Sequence, residues 1–399
     1  MTVLIVGAGP AGAYLSILLA KNGMKSILID RLDDPFNNAY SSAALPISTI
    51  DKYSFIKDSV SSYWNNWKIT GPDTLEHNFS SDLPLGVVLN FGKFRNDLWC
   101  RAKTLGVTLL LGWTVKEINS CNQFTEVILM DKDKISHSHR FNLVVDATGT
   151  NRSLINRYNS NENSYYKGSG VEYLIEVDKE LYNKWSNHLS FFIGSNWVKY
   201  GYGWIFPMSN LRLKVGVCRL PPQNQAFKSS NLIDLSRLIE LNNINRYSLI
   251  NIHGGLVSST LKREETHFCK RIVGIGDCVS TANLLGGEGI RHALCSAEIL
   301  ADVLLSYFNE SKFNNIEDFS KLNIYVKRLR REFGWRWIIA NRIGRKTWNS
   351  ISDNQSDYKI KKLINLLSNK DGNALNELLF DYKFEKFLFK LVPYFIGLK

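Results

Sequence analysis

Three glycines near the start of the chain, Gly7, Gly9 and Gly12, have the spacing of a loop that binds a dinucleotide pyrophosphate. The first allows a tight turn, the second lets the backbone approach the anion, and the third lets a strand and a helix pack closely. Pro10 and Ala11 stand between them at the start of a helix, where free N–H groups and the positive end of the helix dipole attract an anion. We therefore expect all five residues to contact a bound dinucleotide.

The acidic residue Asp30 is placed to bind the ribose of the same dinucleotide. It ends the apolar run Ser26–Ile29, and the earlier run Val3–Val6 precedes the helix, so the segment indicates a strand–helix–strand unit. A carboxylate in this position accepts hydrogen bonds from ribose hydroxyls and repels the 2′-phosphate of NADP. Arg31, the next residue, is a further candidate cofactor contact. The unit alone fits FAD and NAD equally well.

The rest of the chain predicts two more regions around this unit. Alternating apolar and polar residues favour an antiparallel sheet that faces a cavity on one side. The fold class is therefore α/β with an α+β insertion: a Rossmann-like dinucleotide-binding domain, an antiparallel-sheet substrate domain and a helical C-terminal tail. The predicted boundaries are 1–75, 90–165 and 258–312 for the first, 76–89 and 166–257 for the second, and 313–399 for the third.

The composition excludes several classes of protein. A chain of 399 residues, 44% apolar and 22% charged, has room for two or three globular domains and differs from disordered or collagen-like chains. No unbroken apolar run reaches the length of a membrane span, about 18 residues, and no basic segment precedes Val3 as in a signal peptide, so a cytoplasmic protein is expected. The six cysteines form no CxxC pair and the seven histidines are dispersed, so neither a disulfide framework nor a metal site is predicted.

Positive charge is concentrated toward the C-terminus. The net charge is +12, and the residues after 300 include 18 Lys and Arg against 11 Asp and Glu. Segment 326–346 carries eight basic residues together with Trp335 and Trp337, and Trp348 lies just beyond. Such a segment suits loose attachment to an anionic membrane surface or binding of a diphosphate, and a solvated helix face is the plain alternative. Nucleic acid is not expected as a partner, because no recognition fold accompanies the charge.

An apolar stripe follows near the end of the chain. Its members fall at the helical spacing i, i+3, i+4 and i+7: Phe384, Phe387, Leu388 and Leu391. A stripe of this kind can close a substrate cavity, enter a lipid interface or pack on the body of the protein.

Two later motifs resemble those of FAD-dependent oxidoreductases. The run Val144–Gly149 ends in the Asp-Ala-Thr-Gly sequence typical of these enzymes, and Gly274–Asp277 resembles their second FAD motif, whose aspartate contacts the ribityl or pyrophosphate region. The glycine turn Asn283–Arg291 precedes another helix, and its N–H groups can face the flavin pyrimidine edge, where negative charge accumulates on reduction. The candidate FAD contacts that this resemblance implies are Gly149, Asp277, Gly287, Gly289 and Ile290.

More narrowly, the chain is similar to the geranylgeranyl reductase family within the p-hydroxybenzoate hydroxylase-like flavoproteins. Gly276–Arg291 matches the family's second motif without a gap, with Leu284, Gly286 and Glu288 in place of a proline, a threonine and a glycine. Gly201–Pro207 matches the family's Tyr-x-Trp-x-Phe-Pro element. The resemblance covers about three quarters of the chain and does not extend in detail to the helical tail.

The resemblance implies that Tyr202, Trp204 and Phe206 line the substrate cavity opposite the flavin. Because the three residues alternate along one predicted strand they share a face, and the plain alternative is a buried aromatic core. Many family members carry a cysteine in a loop after the second strand, but Ser41 occupies that position here. No catalytic residue is therefore assigned from the sequence.

The activity that the resemblance implies is reduction of carbon–carbon double bonds in a polyprenyl, geranylgeranyl-type substrate by hydride from reduced FAD. NADPH or a reduced ferredoxin is the implied electron donor, because FAD occupies the single visible fingerprint. The expected partner is an isoprenoid or lipid-like small molecule. A monooxygenase or halogenase, a lycopene-type carotenoid cyclase and a non-catalytic lipid-binding flavoprotein are the alternatives on the same scaffold.

Overall fold

The computed structural model describes residues 2–39, 41–121, 123–158, 165–222, 230–308 and 321–386. The strands in these ranges are β1 (Val3–Val6), β2 (Ser26–Asp30), β3 (Ala44–Pro46), β4 (Val60–Trp64), β5 (Asn66–Thr70), β6 (Glu76–Ser80), β7 (Gly86–Leu89), β8 (Thr108–Leu111), β9 (Thr114–Ser120), β10 (Thr125–Met130), β11 (Ser136–Phe141), β12 (Leu143–Asp146), β13 (Tyr165–Val177), β14 (His188–Phe192), β15 (Gly201–Met208), β16 (Arg212–Arg219), β17 (Tyr247–Thr260), β18 (Phe268–Cys269) and β19 (Ile272–Gly274). The α-helices are α1 (Pro10–Lys21), α2 (Ile47–Lys52), α3 (Phe91–Thr104), α4 (Lys179–Trp185), α5 (Asn231–Leu241), α6 (Ile290–Phe308), α7 (Leu322–Ser350), α8 (Asn354–Leu367) and α9 (Gly372–Leu379).

The first sheet is built around β1 and has the strand order β18-β19-β12-β1-β2-β8. Its strands pair in parallel, except that β18 is antiparallel to β19. Strands β1 and β12 are buried at every position, as expected for parallel strands covered on both faces. Val6 pairs with Asp146, which pairs in turn with Gly274. The three sequence motifs therefore leave the sheet side by side at its carboxyl edge.

The second sheet has seven strands in the order β17-β13-β16-β15-β14-β5-β6. Side chains alternate across a strand, so neighbours on β15 face opposite sides. Ile205 packs in a buried apolar cluster with Leu235 and Leu238 of α5, whereas Trp204 and Phe206 join the main core of the protein. The face that carries these aromatic residues is the one turned toward the first sheet and the tail helices.

The structure divides the segment before α3 differently from the sequence prediction. Strand β5 pairs in parallel with β14 and lies in the seven-stranded sheet, although the prediction assigns residues 1–75 to the dinucleotide-binding domain. Strand β7 pairs with β3 and β4 in a separate three-stranded sheet, although the prediction assigns residues 76–89 to the substrate domain. Strand β6 pairs with β5 from nearby in the sequence, but β14 lies far along the chain, and local residue patterns carry no information about such a pairing.

The helical tail predicted from the sequence contains α7, α8 and α9 in its described part. Helix α7 is interrupted at Gly334, whose φ of 59° is in the left-handed region that glycine adopts without strain. Buried side chains of all three helices belong to the main core. Among the helices of the described ranges, none combines the length and the apolar character that crossing a membrane requires.

Candidate active site

The first glycine loop has the tight packing that its sequence predicts. The Gly7 N–H donates a hydrogen bond to the Ile29 carbonyl at 2.8 Å, and a Cβ atom placed on Gly12 would lie only 1.9 Å from the Gly7 carbonyl oxygen. Gly9 precedes α1, and a Cβ atom there would meet no protein atom within 4 Å. The loop is thus closed against the protein at Gly7 and Gly12 and open toward the cavity at Gly9, as a pyrophosphate cradle requires.

Asp30 lies at the end of β2 and fixes the loop that precedes α1. Its Oδ2 accepts a hydrogen bond from the Ala8 N–H at 2.6 Å, and its Oδ1 accepts one from the Leu32 N–H at 2.9 Å. Each carboxylate oxygen keeps a further lone pair for a ribose hydroxyl. Arg31 is exposed beside it. Ribose contact by Asp30 and any contact by Arg31 stay predictions.

The second and third motifs meet the first at the same edge of the sheet. The buried carboxylate of Asp146 accepts hydrogen bonds from the Leu154 and Ile155 N–H groups at 2.9 Å and so holds the turn that contains Gly149. Asp277 is half-buried on the cavity wall and accepts a hydrogen bond from the Thr281 hydroxyl at 2.7 Å. Burial raises the pKa of the Asp277 carboxyl, and the bond from Thr281 opposes that rise.

The glycine turn before α6 is held in place by the helical tail, which the sequence analysis does not link to this turn. The Leu284 N–H donates to Asn341 Oδ1 at 2.8 Å, and the Trp348 indole N–H donates to the Leu284 carbonyl at 2.8 Å. A Cβ atom on Gly344 would lie 2.5 Å from the Leu285 nitrogen. Helix α7 therefore touches the turn backbone to backbone, and Gly344 is the residue that allows it.

Glu288, where the family motif has glycine, ties the same turn to the end of the tail. Its Oε1 accepts from Arg291 Nε at 2.6 Å, and Arg291 also approaches Asp381 at 3.8 Å and donates to the Phe380 carbonyl. Burial raises the pKa of the Glu288 carboxyl, and the Arg291 charge opposes the rise. Glu288, which replaces the glycine of the family motif, is thus linked through Arg291 to Phe380 and Asp381 of the tail.

A cavity of about 420 Å³ begins at these loops and extends between the seven-stranded sheet and the tail. The predicted cofactor residues on its wall are Gly9, Pro10, Ala11, Gly149, Asp277, Gly287, Gly289 and Ile290. The other predicted cofactor residues, Gly7, Gly12, Asp30 and Arg31, do not line the cavity. The structure therefore brings motifs from three distant parts of the chain onto one surface and leaves the packing glycines beneath it.

Tyr202, Trp204 and Phe206 all lie on the cavity wall and are all buried. Tyr202 adjoins the flavin motif, because a Cβ atom on Gly287 would lie 2.9 Å from the Tyr202 hydroxyl oxygen. The two alternatives for this strand are therefore compatible: its aromatic side chains belong to the core and also line the cavity.

The structure contains a buried pair of opposite charges, Glu172 and Lys214, that the sequence analysis did not predict. Glu172 Oε2 accepts from the Trp204 indole N–H at 2.9 Å, and Lys214 Nζ donates to the Ser41 carbonyl at 2.7 Å and the Ser42 carbonyl at 3.1 Å. Burial lowers the pKa of Lys214 and raises that of Glu172, and the attraction between them opposes both shifts. The sequence does not single out this pair, because β13 also carries Glu176 and β16 also carries Arg212 and Arg219.

The far part of the cavity is enclosed by the tail. Its lining there is apolar and comes from α8 and α9 on one side and from β5 and β14 on the other: Ile360, Leu363, Ile364, Leu367, Leu375, Leu378, Ile69, Leu189 and Phe191. The Trp67 indole N–H donates to Asn376 Oδ1 at 3.1 Å and fastens α9 to the sheet. Phe384, the first member of the apolar stripe, also lines the cavity, whereas Phe387, Leu388 and Leu391 lie outside the described residues.

The basic segment 326–346 has fewer surface aromatics than its sequence indicates. Trp335 is 55% exposed, but Trp337 and Trp348 are buried in the core. In the described residues, no group of three His, Cys, Asp or Glu side chains is arranged to hold a metal ion.

The open backbone at Gly9, Gly149 and Gly286, where a Cβ atom would meet nothing within 4 Å, fits a cofactor that lies against main-chain N–H groups. Residues 1–49 match the family model of an FAD binding domain. The chain is 20% identical over 387 residues to a geranylgeranyl diphosphate reductase of Synechocystis, covering 91% of this chain and 90% of that protein. It is 23% identical over 318 residues to a digeranylgeranylglycerophospholipid reductase of Methanococcus vannielii, covering 78% of each.

The fold is shared with the crystal structure of a geranylgeranyl bacteriochlorophyll reductase-like protein from Thermoplasma acidophilum, with a TM-score of 0.81 at 18% identity over 98% of this chain and 99% of that one. The chain thus resembles geranylgeranyl reductases in both sequence and fold. It is an FAD-dependent oxidoreductase, and the predicted resemblance, fold class and cofactor are confirmed. The individual cofactor and substrate contacts stay predictions.

Proposed function

We propose that this oxidoreductase reduces carbon–carbon double bonds of a polyprenyl lipid. The observation that carries the proposal is the cavity, which starts at the flavin loops and continues into an apolar space walled by the sheet and the tail helices. A space lined by aliphatic and aromatic side chains suits a long hydrocarbon chain, because burial of apolar surface is its main source of binding free energy. The names of the two related reductases support the same substrate class.

Reduced FAD, when bound, supplies a hydride for one alkene carbon. The protein residues then have three tasks: to hold the alkene against the flavin, to exclude water, and to provide a proton for the other carbon. The aromatic strand and the tail perform the first two, since they wall the cavity on opposite sides. NADPH or a reduced ferredoxin is the proposed source of electrons.

Tyr202 is our candidate for the proton donor. Its hydroxyl lies beside Gly287 of the flavin turn, on the cavity wall. Burial raises its pKa well above the usual value, which keeps the phenol protonated but makes it a weaker acid, so its candidacy rests on its position. Ser41 also lies on the cavity wall, but its hydroxyl is a poor acid near neutral pH. Lys214 binds the Ser41 carbonyl and gives the loop a structural role that does not depend on the serine side chain.

Anaerobic reoxidation tests the proposal. The FAD of the purified enzyme is reduced with dithionite, and geranylgeraniol or a geranylgeranyl phospholipid is added without oxygen. Recovery of oxidised-flavin absorbance, with a lipid heavier by two hydrogens per reduced bond, is expected. A flavin that reoxidises only with oxygen would favour the monooxygenase or halogenase alternative. A product of unchanged mass would favour a cyclase, and an unaltered lipid would favour a protein that only binds it.

We also propose loose attachment to an anionic membrane. A polyprenyl chain is insoluble, so the cavity must fill from a bilayer or a carrier. Strand β17 exposes Leu249, Ile250, Ile252 and Leu256, each more than 40% accessible, and Leu256 also lines the cavity. Apolar side chains at the rim of a cavity suit the apolar part of a lipid interface. The net charge of +12 suits the negative charge of anionic lipid head groups.

A further inference from the structure

Helix α7 borders a second pocket in addition to the apolar cavity. We call it the basic pocket; it has a volume of about 580 Å³ and is lined by Leu261, Lys262, Arg342, Arg345, Lys346, Asn349 and Ser350. Four of these seven side chains are cations, and the lining includes no acidic residue. Such a concentration of positive charge is favourable only when an anion or solvent ions compensate it.

The cations of the basic pocket differ from other cations of the tail in their partners. Arg328, Arg336 and Lys361 each approach a carboxylate: those of Asp302, Glu385 and Asp73. Within the described ranges, no carboxylate forms an ion pair with Lys262 or Arg342. Arg345 donates to the Tyr166 hydroxyl at 2.6 Å and lies over its ring at 5.1 Å, which fixes the guanidinium without neutralising it. The pocket thus has one oriented arginine, Arg345, and two cations, Lys262 and Arg342, that form no ion pair with a carboxylate of the described residues.

The basic pocket and the apolar cavity are neighbours on the same helix. Ile343 and Thr347 line the cavity, and each directly follows a cation of the basic pocket, Arg342 and Lys346. Consecutive helical residues point about 100° apart on a cylinder about 10 Å wide, so the two linings meet along one edge of α7. Leu256, on the cavity wall, is 60% exposed, so the cavity reaches the surface at β17, the strand that leads to Lys262.

We propose that the basic pocket binds the phosphate or diphosphate head group of the lipid whose chain enters the cavity. Arginine and lysine are the side chains that recognise phosphate, through charge-assisted and bidentate hydrogen bonds. An amphipathic molecule that places a polyanion in one site and a hydrocarbon chain in the other uses both. The lipid part of this inference rests on the proposed function, whereas the anion site itself does not.

Titration calorimetry with inorganic diphosphate tests the anion site directly. The FAD-bound protein is compared with the double variant Lys262→Gln/Arg342→Gln. The matched control is Lys359→Gln/Lys362→Gln, which removes the same charge from α8 beside the cavity-lining residues Ile360 and Leu363. We expect the pocket variant to bind diphosphate at least ten-fold more weakly and the control to stay within two-fold of wild type. No binding to the wild type, or equal losses in both variants, would overturn the site.

Lipid titrations then identify which phosphate the pocket serves. We expect the pocket variant to lose at least ten-fold in affinity for geranylgeranyl diphosphate and to keep its affinity for geranylgeraniol, which has the same chain without the charge. An unchanged affinity for the diphosphate lipid, together with a raised KM for NADPH but not NADH, would assign the pocket to the nucleotide and refute the head-group role. If neither lipid is reduced while the diphosphate preference persists, the reductase proposal fails and the anion site stands.

Discussion

Replacing Gly9 by alanine separates cofactor binding from folding. The protein leaves the Cβ position at Gly9 free of atoms within 4 Å, and the backbone there has a φ of −68°, which alanine adopts without strain. The folded state without FAD should therefore lose about 1 kcal/mol or less, the usual cost of alanine at a helix N-cap. The same methyl group stands where the pyrophosphate must approach the backbone, so FAD affinity should fall about 100-fold.

These two effects can be measured on one sample by thermal unfolding with and without FAD. At an FAD concentration 100 times the wild-type Kd, binding stabilises the wild type by about 2.7 kcal/mol, but a variant with 100-fold weaker affinity gains only about 0.4 kcal/mol. Gly12→Ala is the contrast, because its Cβ would lie 1.9 Å from the Gly7 carbonyl oxygen and overpacking of this kind costs about 1–3 kcal/mol or more even without FAD. An unchanged FAD affinity in Gly9→Ala, or a loss of stability without FAD equal to that of Gly12→Ala, would refute the assigned cradle.

Four further predictions concern the cavity, the core and the tail. Tyr202→Phe should slow alkene reduction by more than about 100-fold, the low end of a general acid contribution, whereas Ser41→Ala should slow it by no more than about ten-fold. If single-turnover rates show the reverse order, the proton donor lies in the loop of Ser41 and is not Tyr202. Trp204→Phe should impair turnover and retain FAD, whereas joint loss of FAD and of the fold would leave this residue a purely structural role. Burial lowers the pKa of His267 to about 4. The folded protein therefore keeps this imidazole neutral, while the unfolded chain takes up a proton as the pH falls below about 6.5. In urea unfolding, His267→Gln should reduce the loss of stability between pH 7.5 and pH 5 by about 2 kcal/mol. Vesicle flotation should show binding to anionic but not neutral vesicles, released at 1 M salt, where the Debye length is about 3 Å. Equal binding to both kinds, or to neither, would mean that the positive charge of the protein does not attach it to a membrane.

Local sequence determined the dinucleotide loop, because each of its residues has a role set by its immediate neighbours. Gly7 needs a positive φ, which the structure gives as 107°, and Gly12 needs the absence of a side chain. The alternation of Tyr202, Trp204 and Phe206 likewise placed them on one face of a strand, since the side-chain period of a strand is two residues. The family resemblance added FAD, which the loop by itself does not distinguish from NAD.

Tertiary structure decided what surrounds these residues. Leu284 is bound by Asn341 and Trp348, and Lys214 reaches the loop at Ser41, across separations of 57, 64 and 173 residues. No local pattern predicts such contacts, because the residues share neither an element nor a periodicity. The tail is the clearest case: its sequence indicates helices and positive charge, but only the folded chain shows that α7 braces the flavin turn and that α8 and α9 enclose the apolar cavity. Hydrophobic burial is non-directional, so the sequence determines that these helices must cover apolar surface, and the packing of the whole molecule determines which surface they cover.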